Sequence, residues 1–149
     1  MMSHRSMIRR AMRELISPPF RERLMMVVTE VNGCRYCSYY HSRQALTSGV
    51  PESELRELLA GSIPQGAPAD ELPALLYARH WAESNASPDS QAVEHLQDVY
   101  GEETSQAIHI ILRMIRVGNL LGNTADYWLS LLTFGRLGLR EDEARFGRN

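Results

Sequence analysis

Apolar residues recur at intervals of three to four along most of this chain, and no stretch alternates with a period of two. The first interval is typical of helices that bury one face, whereas the second is typical of half-exposed strands. Proline and glycine interrupt the pattern at short intervals. With 149 residues and 44% apolar content, the chain is long enough to bury one core. We therefore predict an all-α fold in a single domain over residues 1–149.

Seven helices are predicted between these interruptions. An amphipathic helix with a basic face covers residues 1–16, and a loop rich in proline and glycine covers residues 61–69. Asp70 is a candidate cap for the helix that follows this loop. A polar tail is expected after Gly138. The other predicted helices begin at Pro18-Pro19, Cys34, Pro51, Ser87-Pro88-Asp89 and Glu102.

The last predicted helix, from Glu102 towards Leu132, carries two stripes. The apolar stripe consists of Ile108, Ile111, Ile115, Leu121, Ala125, Trp128 and Leu132, and the polar stripe of His109, Arg113, Arg116, Asn119 and Asn123. The polar stripe is either a solvated face or one wall of a functional pocket or subunit interface. Gly118 and Gly122 would let a neighbouring helix approach closely or let this helix bend.

Charge and cysteine content exclude several classes of function. A formal charge of -2 gives no electrostatic basis for binding nucleic acid. Arg113 and Arg116 argue against a membrane span in the last helix. The two cysteines lie three residues apart, which is a spacing of catalytic rather than structural pairs, so a reducing, cytoplasmic compartment is expected.

The two cysteines belong to one motif, Cys34-Arg35-Tyr36-Cys37, and His41 follows one helical turn later. If Asn32-Gly33 ends one helix and Cys34 begins the next, an angular step of about 100° per residue places Cys34, Cys37 and His41 within a sector of roughly 60°. Thiols at such a helix start lie within disulfide range and often have a lowered pKa. His41 can relay a proton to or from Cys37.

Other interpretations of the motif remain open. The cysteines can be small buried apolar residues. Cys34, Cys37 and His41 can also supply three ligands to a metal ion, although no second pair of Cys or His residues at ligand spacing completes a closed zinc site. A thioredoxin-type domain is disfavoured, because its motif follows a β-strand. His80 and the pair Met25-Met26 are interpreted as structural residues.

The motif and its surroundings resemble the alkylhydroperoxidase D-like branch of the carboxymuconolactone decarboxylase family. The family signature is a glutamate, a CxxC motif twelve residues on and a histidine four residues after the second cysteine; Glu22, Cys34, Cys37 and His41 fit it without a gap. The tract from Val117 to Asp126 resembles the family's long Asn-containing helix less specifically. From one sequence alone, Glu22 is equally well a solvated acid at a helix start. The resemblance favours Glu22 over Glu30, which stays a backup.

The resemblance implies an antiparallel helical domain that assembles as a trimer or hexamer. It implies a peroxidase cycle in which Cys37 attacks a hydroperoxide, Cys34 resolves the product as a disulfide, His41 accepts a proton and Glu22 orients His41. No cofactor or metal is expected, and an external dithiol or a peroxiredoxin is the expected redox partner. Tyr36 departs from the best-known relatives, which have a second histidine there. The alternatives are a disulfide reductase for a peroxiredoxin and a non-catalytic redox or metal-binding module.

Overall fold

The regular structure of the chain is helical. The computed structural model describes residues 4–133, and that range contains no β-strand. The all-α prediction is therefore confirmed, while the tail predicted after Gly138 lies outside the described residues. The elements are α1 His4–Arg10, a π-helical turn Ala11–Leu15, α2 Pro18–Asn32, α3 Arg35–Ser48, α4 Glu52–Leu59, α5 Leu72–Glu83 and α6 Ser90–Leu132.

Helix α2 begins and ends where its sequence predicts. The Ser17 hydroxyl accepts a hydrogen bond from the Phe20 N–H at 3.4 Å, and Pro18 occupies the first turn, where its missing N–H costs no hydrogen bond. At the other end Gly33 adopts φ 67°, a left-handed conformation that glycine reaches without a steric penalty. The chain therefore reverses at Gly33, and α3 packs back along α2.

The cap predicted at Asp70 is wrong. The residue before α5 is Glu71, and it makes no side-chain capping hydrogen bond. The Tyr100 hydroxyl instead bonds the carbonyl of Asp70 at 2.6 Å and accepts from the N–H of Ala74 at 3.1 Å. A tertiary contact from α6 thus satisfies the start of α5, which a local cap would otherwise do.

Helix α6 joins two predicted helices. Gly101 inside it has φ 76° and ψ 168°, which are not helical values, so the axis breaks where the sequence predicts one helix to end and the next to begin. The Asp89 side chain caps the first part by accepting from the N–H of Ala92 at 2.9 Å.

Helix α2 lies at the centre of the core. It packs against α3, α4, α5 and α6, and Met25 and Met26 are buried in it, as expected for core residues. The largest fully buried apolar side chains around it come from several elements, and they are Ile16, Leu24, Met26, Val28, Leu58, Leu75, Leu96, Ile108, Ile111 and Leu112. The core therefore fixes α2, and α2 in turn positions the start of α3.

A buried ion cluster fastens α2 to α4 and to the start of α5. Arg23 Nε donates to Glu54 at 2.8 Å, and an Arg23 terminal nitrogen donates to Glu71 at 3.1 Å. All three residues are buried. Burial raises the pKa of Glu71, while the Arg23 guanidinium opposes that rise.

The second half of α6 exposes an apolar face. The apolar stripe predicted for this helix enters the core at Ile108, Ile111 and Ile115, but Leu121 and Trp128 are 66% and 54% exposed. They belong to a surface called the α6 apolar face below, whose members are Val117, Leu120, Leu121, Tyr127, Trp128, Leu131 and Leu132. Within residues 4–133, no helix combines the length and the hydropathy needed to cross a membrane.

Candidate dithiol site

The two cysteines meet at the start of α3. Cys34 occupies the N-cap position with φ -81° and ψ 103°, and its Sγ accepts a hydrogen bond from the N–H of Cys37 at 3.3 Å. Both thiols are free. The sequence prediction that the motif begins a helix is therefore confirmed, with Cys34 just outside the first helical residue.

The two thiols differ in their surroundings. Cys34 is only 1% exposed, whereas Cys37 is half-buried. Burial is the main cause that raises the pKa of Cys34 to about 11, and the Cys37 thiol adds to the rise. Hydrogen bonds from the Cys37 N–H and the Asn119 side chain act in the opposite direction. Cys34 is therefore a protonated thiol at neutral pH.

Glu22 is buried and pairs with the half-buried His41, one helical turn beyond Cys37. Glu22 Oε2 lies 2.8 Å from His41 Nδ1, and the Glu22 side chain is 4% exposed. The other Glu22 oxygen accepts from Arg21 Nε at 3.1 Å. Arg21 also donates to the carbonyl of Met12 at 2.8 Å, which holds its guanidinium in place. The two oxygens of the Glu22 carboxylate are therefore held by different partners, one by His41 and one by Arg21.

This arrangement excludes one interpretation of Glu22. Glu22 is not a solvated helix-start acid, because it lies in the interior against His41. Glu30, the backup candidate, instead accepts from the Ser38 hydroxyl at 2.7 Å on the first turns of α3. His41 lies one turn beyond Cys37 on the same face of α3, and its imidazole is oriented by Glu22.

Helix α6 forms the wall behind the dithiol. A Cβ atom added to Gly122 would lie 2.6 Å from Cys34 Sγ and 3.4 Å from Cys37 Sγ, so the backbone of α6 packs directly against both sulfurs. The close helix approach predicted for glycines in this helix is confirmed at Gly122, while a Cβ at Gly118 would meet nothing within 4 Å.

Two members of the predicted polar stripe belong to this wall. Asn119 is fully buried; its Oδ1 accepts from Asn32 Nδ2 at 3.0 Å, and its Nδ2 donates to Thr29 Oγ1 at 3.1 Å. Asn123 donates to the carbonyl of Asn32 at 3.1 Å. Asn119 therefore lies behind the dithiol rather than on a solvated face, whereas Asn123 is exposed. Helical spacing alone does not distinguish Asn119 from the other members of the polar stripe. The signal available in the sequence was an amide among the apolar residues of a helix that packs in the core.

The rest of the polar stripe lies away from the thiols. His109 Nε2 lies 2.6 Å from the hydroxyl of Tyr77 on α5, and Arg116 donates to the Asn85 side chain at 2.6 Å. Burial lowers the pKa of His109, and the nearby Arg113 guanidinium lowers it further. These residues fasten α6 to α5 and to the loop after it.

One residue inside the motif also binds α6. Arg35, the residue after Cys34, forms an ion pair with Asp126. Tyr36, at the position where the best-known relatives have histidine, is half-buried. The CxxC segment is therefore held against α6 on two sides, by the contact of Gly122 with the sulfurs and by this ion pair.

The sequence left metal binding open as an interpretation of Cys34, Cys37 and His41. Among residues 4–133, no group of three or more His, Cys, Asp or Glu side chains is placed to hold a metal ion. The imidazole of His41 pairs with Glu22 through Nδ1, so that contact does not involve its Nε2 atom. What the site brings together is a dithiol and a carboxylate–imidazole pair, which can exchange protons and form a disulfide.

The family comparison gives a match. The model of the carboxymuconolactone decarboxylase family matches residues 2–84, which is more than half of the 149-residue chain and contains Glu22, both cysteines and His41. No curated protein and no solved structure gives a significant match. The chain belongs to the carboxymuconolactone decarboxylase family.

Proposed function

We propose that the chain is a thiol-dependent peroxidase of the alkylhydroperoxidase D-like branch of this family. The observation that carries the proposal is the unequal pair of thiols beside the hydrogen-bonded Glu22–His41 pair, in which Glu22 is buried. Cys37 is accessible enough to meet a substrate, whereas Cys34 is a buried thiol whose pKa is raised to about 11. Such inequality suits a cycle in which one thiol attacks and the other resolves.

The first step oxidises Cys37. Its thiolate attacks one oxygen of the hydroperoxide, the O–O bond breaks, and Cys37 becomes a sulfenic acid. His41 accepts the Cys37 proton, and that proton neutralises the departing alkoxide as an alcohol. Glu22 holds the imidazole through Nδ1, so the Nε2 atom is the one left to exchange protons with the dithiol.

The second step closes the disulfide. The Cys34 sulfur attacks the sulfenic sulfur of Cys37, the S–O bond breaks, and the oxygen leaves as water with the Cys34 proton. An external dithiol then reduces the disulfide and becomes a disulfide itself. The cycle needs no organic cofactor. Tyr36 stands where the best-known relatives have a second histidine, so the proposed cycle uses His41 as its proton carrier.

A mass measurement on the reduced, metal-free protein tests the proposal. One equivalent of tert-butyl hydroperoxide should rapidly remove both thiols, and the mass should fall by two hydrogens as the Cys34–Cys37 disulfide forms. If both thiols persist through this treatment and the protein binds zinc tightly, the peroxidase proposal fails and the metal-binding interpretation takes its place.

The same protein can distinguish a peroxidase from a disulfide reductase. Exposed aromatic side chains lie beside His41, with Tyr40 58% exposed and stacked edge-on against the imidazole at 5.1 Å between ring centroids. Such a surface suits contact with a protein disulfide. Fast reduction of an oxidised peroxiredoxin without comparable peroxide turnover would assign the reductase function instead.

We further propose that the chain forms a homo-oligomer through the α6 apolar face. At about 100° per residue, Leu121 and Trp128 lie on the side of α6 opposite Asn119 and about 100° or more away from Gly122. Contact between copies would therefore cover apolar surface without blocking the dithiol. Contiguous exposed apolar patches on soluble proteins commonly mark such interfaces.

Substitution of the α6 apolar face should dissociate the oligomer. We expect Leu121→Glu with Trp128→Glu to shift the molar mass in solution towards the 16.9 kDa of one chain, because burying two carboxylates in an apolar interface is unfavourable. Light scattering after gel filtration measures this shift. The control is Leu76→Glu on α5, which is 57% exposed and lies outside the face. An unchanged mass in the double variant would place the interface elsewhere.

A further inference from the structure

The deepest polar group behind the dithiol is the side chain of Asn119. It is fully buried in α6, and two contacts fix the orientation of its amide: Oδ1 accepts from Asn32, and Nδ2 donates to Thr29. An amide nitrogen carries two hydrogens. Since the Thr29 hydroxyl takes one of them, a second N–H of Asn119 is left for another acceptor.

The neighbouring acceptor is the sulfur of Cys34. Gly122, one turn further along α6, packs closer to Cys34 Sγ than to Cys37 Sγ, so this stretch of α6 faces Cys34 first. A hydrogen bond from the Asn119 side chain lowers the pKa of Cys34 and partly opposes the effect of burial. Asn32, which bonds Asn119, is also only two residues before Cys34.

We propose that Asn119 is a positioning residue for the resolving half of the thiol cycle: its free amide N–H points at Cys34 Sγ and stabilises the negative charge on that sulfur as it attacks the Cys37 sulfenic acid. In this step the Cys34 sulfur forms the S–S bond, the S–O bond breaks, and the oxygen leaves as water with the Cys34 proton. The role of Asn119 in catalysis rests on the proposed function, whereas the contact between the Asn119 amide and the Cys34 sulfur does not.

The geometry explains why Cys34 needs such a donor. A buried thiol is deprotonated only at a cost, because the interior solvates its thiolate poorly. The donors that oppose this cost are the N–H of Cys37 at the helix start and the amide of Asn119. The Cys37 N–H is part of the backbone, so Asn119 is the donor that a substitution can remove.

The test measures the pKa of Cys34 in the Cys37→Ser background, where Cys34 is the remaining cysteine. Carbon NMR of isotope-labelled cysteine follows the titration of the thiol. Asn119→Leu removes the donor at similar volume, and Asn119→Ala removes it without adding a charge should the leucine variant fail to fold. We expect either variant to raise the Cys34 pKa, so that the thiolate fraction of Cys34 at about pH 10 falls by about tenfold, the scale of a hydrogen bond to a charged group.

A matched control separates positioning from packing. Thr29→Val removes the other acceptor of the Asn119 amide at nearly constant volume and leaves the donor facing Cys34 in place. We expect it to leave the Cys34 pKa unchanged. An unchanged pKa in folded Asn119 variants, or an equal rise in Thr29→Val, would overturn the proposal.

Single-turnover kinetics with otherwise intact cysteines provide a second measurement. Asn119→Leu should slow closure of the disulfide by about tenfold or more, in proportion to the lost thiolate fraction, while formation of the Cys37 sulfenic acid keeps its rate. Equal slowing of both steps would point to a general disturbance of the site and overturn the proposal. If wild-type protein does not react with peroxide but the Cys34 pKa still depends on Asn119, the positioning contact stands and the peroxidase proposal fails.

Discussion

Cys37→Ser should abolish hydroperoxide reduction, whereas Cys34→Ser should stop the cycle at a trapped sulfenic acid. Loss of the nucleophile removes the first bond-forming step, so we expect turnover to fall by about a thousandfold or more, as when other enzymes lose their nucleophile. Cys34→Ser keeps that nucleophile and loses only the resolving sulfur. It should consume one equivalent of peroxide, gain one oxygen in mass and react with a sulfenic acid probe.

The unequal burial of the two thiols is the reason for assigning the nucleophile to Cys37 and the resolving thiol to Cys34. A nucleophile must reach the substrate, and Cys37 is the more accessible sulfur. Cys34 packs against α6 and caps α3, so it meets a sulfenic acid on Cys37 more readily than a peroxide in solution. An inert Cys34→Ser beside a reactive Cys37→Ser would reverse these roles. Full activity in both variants would show that peroxide is reduced outside the dithiol.

Most of the site geometry could be predicted because it follows from one local reversal. Gly33 ends α2 in the left-handed conformation, and α3 then runs back along α2. Glu22 lies eleven residues before Gly33 and His41 eight residues after it, so an antiparallel pair of helices brings them to within one turn of each other. The helical period and the position of the glycine are both present in the sequence.

What the sequence could not supply is the choice among chemically similar residues. Arg23 is one of many arginines, and nothing in its spacing predicts that it is buried between Glu54 and Glu71. Asn119 lies in a polar stripe that also fits a solvated face, and only the packing of α6 on α2 decides which of its members are buried. These contacts join segments far apart in the chain, so helical periodicity does not encode them.

The apolar stripe of α6 is a second feature that helical periodicity predicts only in part. Periodicity predicts one continuous stripe, and the first half of it does enter the core at Ile108 and Ile111. The second half is exposed because α2 and α3 contact the other side of the helix, at Asn119 and Asp126. A helical pattern therefore identifies an apolar face, but it does not tell whether the same chain or a second copy covers it.

Arg23→Ala should cost the protein about 3–5 kcal/mol of unfolding free energy, the range measured when one partner of a buried ion pair is removed. The substitution leaves the carboxylates of Glu54 and Glu71 buried without the guanidinium that now binds both. That cost is a large fraction of the stability of a typical domain. Urea denaturation measures it, and Arg56→Ala is the control, because the Arg56–Glu52 pair is exposed and should contribute within about 0.5 kcal/mol.

The loss in Arg23→Ala should also depend on pH. Burial already raises the pKa of Glu71 in the folded protein, so the folded state binds that proton more readily than the unfolded chain. A group of this kind favours folding below its unfolded pKa, and the benefit disappears as the pH rises through the folded pKa. The cost of Arg23→Ala should therefore be smaller in mild acid and grow towards neutral pH.

A triple variant tests whether the buried charges cause this loss. Adding Glu54→Gln and Glu71→Gln to Arg23→Met should restore much of the lost stability, because no buried charge then remains in the cluster. If Arg23→Ala instead loses less than about 1 kcal/mol, water reaches the two carboxylates and the cluster contributes little.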